Sequence, residues 1–239
     1  MATLVLISGK ARAGKDTLAQ YLKDNNEFTV MHWAAPMKKE LTERPHNFAV
    51  SFNEYTQEAT CYIDQDIVID KELARRMLYW MSGLEDVNLD YNREDAMSPG
   101  YKPYFIETYA LYGYMMKEKD RELLQWYGTD YKRKHKGQDY WINLVMPEII
   151  NNLLQDKDVV VPDTRFLNEI QTARACGNAD KVIIVRVKRD GIKDDSEGDD
   201  QHKSETELDS YAWFDLTIKN NKDIDGFTAL FEKELESFV

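Results

Sequence analysis

Two glycines and a lysine near the start of the chain have the types and the spacing to bind phosphate. Gly9 is followed by four residues and then by Gly14 and Lys15, in the pattern G-x-x-x-x-G-K. Glycines let the backbone approach a ligand closely and adopt positive φ, so that successive N–H groups can point at one anion. The lysine adds a point charge that can follow phosphate charge as it moves. The predicted phosphate-binding loop comprises Gly9, Lys10, Ala11, Arg12, Ala13, Gly14, Lys15, Asp16 and Thr17.

The residues on either side of this loop predict the strand and the helix that must position it. Residues 4–7 are apolar and are predicted to form a buried strand, and Leu18, Tyr21 and Leu22 recur at helical spacing. The N-terminus of a helix presents unpaired N–H groups and the positive end of the helix dipole, and both favour an anion. This full context disfavours the alternative of a glycine turn that binds nothing.

The residue after the loop lysine departs from the common pattern. Ser or Thr usually stands there and binds Mg²⁺ through its hydroxyl, whereas this chain has Asp16 followed by Thr17. The hydroxyl is therefore displaced by one position. The Asp16 carboxylate has two possible roles, as a magnesium ligand or as a group that orients Lys15. We expect Asp16 and Thr17 to take part in metal binding.

A second group of polar residues follows a later buried strand. Residues 159–161 are three valines, and Pro162, Asp163, Thr164 and Arg165 come next. Because ligands bind at the carboxyl ends of parallel strands, we expect Asp163 to reach Mg²⁺ and Arg165 to bind phosphate bidentately. The alternatives are a helix N-cap for Asp163 and a surface salt bridge for Arg165. Cations of the same kind at other loop ends are Lys38, Lys132 and Arg133.

A charged segment late in the chain is predicted to form a lid over residues 188–206. Residues 188–201 are dense in Asp, Lys and Gly and lack apolar periodicity. A lid over phosphates needs cations and must exclude water, and the alternative is a solvated acidic loop without a role. The charged residues at its two ends are Arg186, Arg189, His202, Lys203 and Glu205.

Composition limits the class of protein. The 239 residues suffice for one α/β domain with an insertion, and the net charge of −12 argues against a surface that coats nucleic acid. Any anionic ligand must therefore be held by a local cluster of Lys and Arg. Cys61 and Cys176 have no CxxC spacing and fit a reduced, cytoplasmic compartment. We see no bilayer-spanning run and no signal peptide, so we expect no membrane association.

The rest of the chain alternates strands with helices, which predicts a mostly parallel sheet. Strands are predicted at 28–33, 158–162, 181–187 and 214–218, and helices at 37–41, 119–127, 140–154, 166–175 and 227–235. Residues 128–133 are predicted to form a polar, basic turn. Residues 61–69 are compatible with strand or helix, 71–81 with helix and 88–104 with loop. The dense tyrosines between Tyr79 and Tyr114 fit either the core of a small helical subdomain or a wall for a planar ring.

Several segments together resemble one family, the deoxynucleoside monophosphate kinases of tailed bacteriophages. They are Gly-Lys-Ala-Arg-Ala-Gly-Lys-Asp-Thr at 9–17, Ala-Ala-Pro-Met-Lys at 34–38, Leu-Gln-Trp-Tyr-Gly-Thr-Asp at 124–130, Tyr-Trp at 140–141, Val-Pro-Asp-Thr-Arg at 161–165, Ala-Arg-Ala-Cys-Gly at 173–177, His-Lys-Ser-Glu at 202–205 and Ile-Lys-Asn at 218–220. Asp after the loop lysine is a trait of that family. Animal phosphomevalonate kinases look similar in the loop and at Asp-Thr-Arg.

The resemblance implies a nucleoside monophosphate kinase fold, with one domain over 1–239, a parallel sheet flanked by helices and a lid at 188–206. It also implies a helical monophosphate-binding insertion at 36–135. The implied reaction is ATP-dependent phosphorylation of deoxynucleoside monophosphates to diphosphates, assisted by Mg²⁺. The resemblance further suggests a homodimer, acting in the host cytoplasm if the chain is encoded by a phage.

The resemblance also implies roles for individual residues. Lys15, Asp16, Asp163 and Arg165 are expected in catalysis, with Asp16, Thr17 and Asp163 at the metal. Arg186 and Asn220 are expected to join the loop in binding ATP. The residues expected at the acceptor nucleotide are Lys38, Trp126, Gly128, Thr129, Asp130, Arg133, Trp141 and Arg165. Two other functions stay open at this point: a phosphomevalonate kinase-like transferase, and a nucleotide-binding switch without acceptor chemistry, which would need no second set of cations.

Overall fold

The computed structural model describes residues 2–43, 46–53, 58–63, 67–69, 106–108, 124–191 and 202–236. The chain forms two compact units, one made of residues 1–36 and 132–239 and the other of residues 37–131. The strands are β1 (Thr3–Ser8), β2 (Thr29–Val30), β3 (His46–Asn53), β4 (Glu58–Ile63), β5 (Ile67–Ile69), β6 (Ile106–Thr108), β7 (Val159–Val161), β8 (Lys181–Lys188) and β9 (Leu216–Lys219). The α-helices are α1 (Lys15–Asn26), α2 (Ala35–Glu43), α3 (Lys134–Lys136), α4 (Tyr140–Leu153), α5 (Leu167–Ala175), α6 (Lys203–Thr206) and α7 (Ile224–Glu236), and a π-helix covers Trp126–Arg133.

A five-stranded parallel sheet in the order β2-β7-β1-β8-β9 forms the centre of the first unit. In β1, Val5 lies opposite Val160 of β7 on one side and opposite Ile183 of β8 on the other. Because β1 is buried on both faces of the sheet, its sequence is continuously apolar instead of alternating. The predicted α/β class with a parallel sheet flanked by helices is confirmed.

The two faces of this sheet bury two separate apolar clusters. Leu4 and Leu6 of β1 face a cluster that includes Ile142 and Ile149 of α4. Val5 and Ile7 face the opposite cluster, to which α1 and α7 contribute Leu18, Leu22, Phe227 and Phe231. Successive side chains of a strand point to opposite faces, so the short apolar run at 4–7 supplies both clusters at once.

Two predicted elements near the sheet differ from the structure. The strand predicted at 28–33 is confined to Thr29–Val30, because the backbone N–H groups of Trp33 and Ala34 turn away and donate to the side chain of Asp163. The basic turn predicted at 128–133 is wrong, since a π-helix runs through it. Trp126 and Tyr131 stack at 5.8 Å between ring centroids, and residues five apart align on a π-helix.

The described strands of the second unit form an antiparallel sheet in the order β5-β4-β3-β6. Val50 of β3 lies opposite Cys61 of β4, and Cys61 lies opposite Ile69 of β5. Of the two interpretations of 61–69, strand is correct, and the insertion predicted as helical contains a sheet. The helix predicted at 71–81, the loop at 88–104 and lid residues 192–201 lie outside the described residues.

A buried ion pair connects the end of the π-helix with the start of α5. The Arg133 guanidinium donates to Glu169 Oε1 at 2.7 Å, and the two side chains are only 2% and 3% exposed. The same guanidinium lies 3.7 Å from the ring centroid of Phe166. Glu169 Oε2 accepts from the backbone N–H groups of Arg165 and Phe166 at 2.7 and 3.0 Å. One carboxylate therefore fixes both a returning chain segment and the N-terminus of α5.

Burial raises the pKa of Glu169 to about 7, while Arg133 and the two backbone N–H groups oppose that rise. Burial likewise lowers the pKa of Arg133 below its ordinary value, against the pull of Glu169. Above pH 7 the carboxylate is charged and neutralises the guanidinium. Loss of Glu169 would leave the charge of Arg133 uncompensated in the interior.

We expect Glu169→Ala to lower the free energy of unfolding by about 3–5 kcal/mol at pH 8, because it leaves the Arg133 guanidinium and two buried backbone N–H groups without their acceptor. Urea unfolding followed by circular dichroism measures this change. Glu148→Ala is the matched control, since Glu148 is exposed on α4 and its truncation should change stability by less than about 0.5 kcal/mol. Equal effects of the two substitutions would contradict this account of the pair.

Candidate phosphate-binding site

The carboxyl ends of the parallel strands bring most of the predicted residues of the first unit to one edge of the sheet. The loop after β1, the Asp163–Arg165 segment after β7 and Asn220 after β9 all follow strand ends. Arg186 lies near the end of β8, in register with Ser8 at the end of β1. This edge is where open α/β sheets bind ligands.

The loop requires both of its glycines. A Cβ at Gly9 would lie 2.5 Å from the backbone oxygen of Val187 in β8. Gly14 has φ +107°, and a Cβ there would lie 2.4 Å from Nδ2 of Asn220. Helix α1 begins at the next residue, Lys15, so the loop delivers the helix N-terminus to the edge of the sheet.

Lys15 lies folded against this loop. Its side chain is almost fully buried, and Nζ donates to the backbone oxygens of Gly9 and Lys10, both at 2.8 Å. Burial, together with the charge of Arg165, lowers the pKa of Lys15 to about 8, and Asp16 opposes the shift. The ammonium group is thus held by carbonyl dipoles in a position where an anion would stabilise its charge.

Three other cations at this edge are paired with carboxylates from the segment around α6. Arg165 forms an ion pair with Glu205. Asp209 accepts from Lys10 at 2.7 Å through one oxygen and from Arg186 at 2.5 Å through the other. The phosphate-binding edge therefore carries its own counterions.

Asp209 and Ser8 are contacts that the sequence analysis missed. Ser8 Oγ accepts from Arg186 at 2.9 Å, within the sheet. Asp209 lies beyond the end of α6, and no local pattern in the sequence links it to Lys10, which is 199 positions away. Of the predicted lid residues, His202 caps α6 by accepting from the N–H of Ser204 at 3.2 Å. Lys203 is exposed and pairs with Glu207.

Asp163 connects the sheet edge with the start of α2. Its Oδ1 accepts from the N–H of Trp33 at 2.9 Å, and its Oδ2 accepts from the N–H of Ala34 at 3.0 Å. The residue at the N-cap of α5 is Phe166, so Asp163 does not cap that helix. Each carboxylate oxygen keeps a second lone pair, and His32 Nδ1 lies 3.8 Å from Oδ2. The side chain of Asp163 is 20% exposed, which leaves it accessible to a cation.

The donor set fits a magnesium ion that shares its ligands with a nucleotide. Within the described ranges, no group of three or more His, Cys, Asp or Glu side chains could hold a metal ion by itself. Mg²⁺ at phosphate sites is bound through one or two carboxylates together with phosphate oxygens and water. Asp163 is a partly exposed carboxylate at this edge, and Asp16 is exposed on the first turn of α1 beside Thr17.

A cavity of about 500 Å³ adjoins the loop, a volume within the range of small-ligand sites. One wall is formed by the loop and the start of α1, and Arg189 comes from the end of β8. The opposite wall is the turn between β9 and α7, which contributes Asn220, Lys222 and Asp223. Cations thus line the cavity in a chain whose net charge is −12.

The other predicted acceptor residues are divided between the two units. Lys38, Trp126, Gly128, Thr129 and Asp130 belong to the second unit, and their roles stay predictions. Arg133 is buried in its pair with Glu169. Trp141 is 5% exposed on α4 and makes an edge contact with Tyr140 at 4.7 Å.

Among the residues that the structure describes, no helix combines the length and the apolar composition that crossing a bilayer requires.

Known proteins similar to this chain are kinases. The family model for deoxynucleotide monophosphate kinase matches residues 3–230. A deoxynucleotide monophosphate kinase of Escherichia phage RB69 is 28% identical over 97% of this chain and 99% of its own length. The enzyme of the same name from Enterobacteria phage T4 is 25% identical over 98% of both chains. A putative deoxynucleotide monophosphate kinase of Acanthamoeba polyphaga mimivirus is 33% identical over 45% of this chain and 56% of its own length.

The family match covers the glycine loop, the Asp163–Arg165 segment and the paired cations of the sheet edge. Such a kinase uses a nucleoside triphosphate as donor and a nucleoside monophosphate as acceptor. The chain therefore belongs to the deoxynucleotide monophosphate kinase family and is a phosphotransferase.

Proposed function

We propose that this protein transfers the γ-phosphoryl group of ATP to the phosphate of a deoxynucleoside monophosphate, which yields ADP and a deoxynucleoside diphosphate. The observation that carries the proposal is the folded glycine loop with buried Lys15 at the edge of a parallel sheet. Cations outside the loop, among them Arg165 at the sheet edge, support transfer to a phosphate acceptor. A switch that only binds ATP would not need them.

In this proposal the loop and Lys15 hold the β- and γ-phosphates. Lys15 Nζ donates to the backbone oxygens of Gly9 and Lys10. Phosphate oxygens would accept from the same ammonium group, beside these carbonyl oxygens or in their place. Little covalent chemistry is required of the protein in phosphoryl transfer, and positioning with charge stabilisation accounts for most of the rate. Arg12, Arg189 and Lys222 line the adjoining cavity and would balance the remaining charge of the triphosphate.

Arg165 is the proposed direct ligand of the acceptor phosphate in the first unit. Its side chain is 32% exposed and pairs with Glu205, and its backbone N–H donates to Glu169. Arg133 is buried against that same Glu169, which supports an indirect role through the placement of Arg165. Further acceptor contacts are proposed for Lys38, Trp126, Gly128, Thr129, Asp130 and Trp141.

Asp163, Asp16 and Thr17 are the proposed ligands of a Mg²⁺ ion, which would supply positive charge to the phosphates during transfer. Asp163 keeps free lone pairs beside its two backbone hydrogen bonds, and this supports the assignment. We further propose a homodimer in the cytoplasm of the infected cell, on the resemblance to the phage kinases. The net charge of −12 supports a role without nucleic-acid binding.

The decisive experiment is a coupled assay of ADP release from ATP and Mg²⁺ with a panel of acceptors. The panel contains deoxynucleoside monophosphates, the matching ribonucleotides and phosphomevalonate. We expect ADP release to depend strictly on an added deoxynucleoside monophosphate. Release without any acceptor would favour a nucleotide switch, and release with phosphomevalonate alone would overturn the choice of substrate.

We expect Lys15→Met to lower turnover by at least about a hundredfold, because the variant keeps the buried side-chain volume and loses the charge at the phosphates. Steady-state kinetics with saturating ATP measures this loss, and circular dichroism reports folding. Lys23→Met is the matched control, since Lys23 lies exposed in the last turn of the same helix and should keep activity within about twofold. Near-wild-type turnover of folded Lys15→Met would refute the site.

The pKa of Lys15 predicts how ATP affinity depends on pH. In the free protein this pKa is about 8 because of burial, and bound phosphate raises it, so binding above pH 8 must take up a proton. The affinity for ATP should therefore be constant below pH 8 and fall about tenfold per pH unit above it. Calorimetric titration from pH 7 to 9.5 measures this. Lys15→Arg stays charged throughout and should remove the slope, whereas an equal slope in this variant would assign the proton to another group.

A further inference from the structure

Asn220 follows β9 and is held there by the backbone of β8. Its N–H donates to the backbone oxygen of Lys188 at 2.7 Å. The residue is 9% exposed, so its side chain extends from a fixed backbone into a packed environment. Because its backbone is bonded to β8, the side chain of Asn220 holds the groups that it contacts at a fixed distance from the sheet.

The side chain of Asn220 contacts two successive residues of the phosphate-binding loop. Its Nδ2 donates to the backbone oxygen of Ala13 at 2.8 Å in a buried hydrogen bond. The same nitrogen would lie 2.4 Å from a Cβ at Gly14, so the amide occupies the space that a side chain at 14 would need. The Asn220 amide therefore fits against the loop only because residue 14 is a glycine.

This contact fixes the direction of one N–H group of the loop. The oxygen of Ala13 and the N–H of Gly14 belong to one planar peptide unit, and the peptide bonds of the described residues are trans. In a trans peptide the C=O and the N–H point in opposite directions. The hydrogen bond from Asn220 fixes the Ala13 oxygen on the side of Asn220, so the Gly14 N–H points to the opposite side. This N–H lies next to the N-terminus of α1, where a phosphate would be bound.

We propose that Asn220 is a positioning residue for the phosphate-binding loop: it acts on the nucleotide by orienting the Ala13–Gly14 peptide and not by contact with base or ribose. This inference rests on the proposed function, in which the triphosphate of ATP occupies the loop. Asn is suited to the task because its amide donates to a carbonyl, whereas Asp of the same size only accepts when ionised. The side chain also borders the adjoining cavity, so direct contact with the nucleotide is the alternative to be tested.

The test compares two ligands that share phosphates and differ in everything else. The affinities for ATP and for inorganic tripolyphosphate are measured by calorimetry on Asn220→Ala and on the isosteric Asn220→Asp. We expect both affinities to fall by the same factor, roughly tenfold to a hundredfold. The KM for ATP should rise more than kcat falls, while the KM for the deoxynucleoside monophosphate stays within about twofold.

Asn221→Ala is the matched control. Asn221 is exposed and exchanges hydrogen bonds with Asp190, away from Ala13. Its affinities for both ligands should stay within about twofold of wild type. This separates the loop contact from any general effect of shortening an asparagine in this turn.

Three results would overturn the inference. A loss of ATP affinity with unchanged tripolyphosphate affinity would assign Asn220 to the base or ribose. Unchanged affinities for both ligands in a folded variant would leave Asn220 a purely structural role, whatever the melting temperature of that variant. Failure of both variants to fold would have the same meaning. If the wild-type protein binds neither ATP nor tripolyphosphate, the proposed function itself is refuted. If it binds both, the affinities of the variants can be compared with those of the wild type.

Discussion

The close approach of two neighbouring strands to the glycine loop is the constraint on which the site depends. The backbone oxygen of Val187 leaves no space for a side chain at Gly9, and Asn220 leaves none at Gly14. The loop is therefore shaped by the sheet that surrounds it as much as by its own sequence. Because a backbone pressed against strands loses little further freedom on binding, its N–H groups are already ordered before a ligand arrives. The need for glycine at positions 9 and 14 is therefore a consequence of how closely the parallel sheet approaches the loop.

Charge at the sheet edge is balanced locally. The chain is strongly acidic overall, yet Lys10, Arg165 and Arg186 converge here, and Glu205 and Asp209 neutralise them. Bringing cations together without counterions would cost free energy, and the carboxylates around α6 offset that cost. A phosphate that enters this edge meets cations that are already paired, so it must join or displace carboxylates. The selectivity of the edge for an anion thus depends on the α6 segment as well as on the cations.

Short-range patterns in the sequence predicted the parts of the structure that local chemistry determines. The apolar run at 4–7, the three valines of β7 and the spacing of Gly9, Gly14 and Lys15 each indicate their own structure. The π-helix was missed because Gly128 and its polar neighbours have the composition of a turn. The burial of Tyr127 and Tyr131 depends on tertiary packing, which a local pattern does not show. The early end of β2 depends on Asp163, which is distant in sequence. Asp209 was missed for the same reason, since only the folded chain brings it to Lys10. The roles of the site residues remain predictions.

The chain passes between its two units at two places, and each is fastened to the same short stretch of the first unit. On departure, the N–H of Ala34 is held by Asp163, just before the second unit begins at residue 37. On return, Arg133 is held by Glu169. Residues 163–169 therefore act as a clamp on both ends of the inserted segment, and Arg165 lies inside that clamp. The consequence is one of cooperativity: both ends of the inserted segment depend on one short stretch, so disturbing residues 163–169 would release both anchors together.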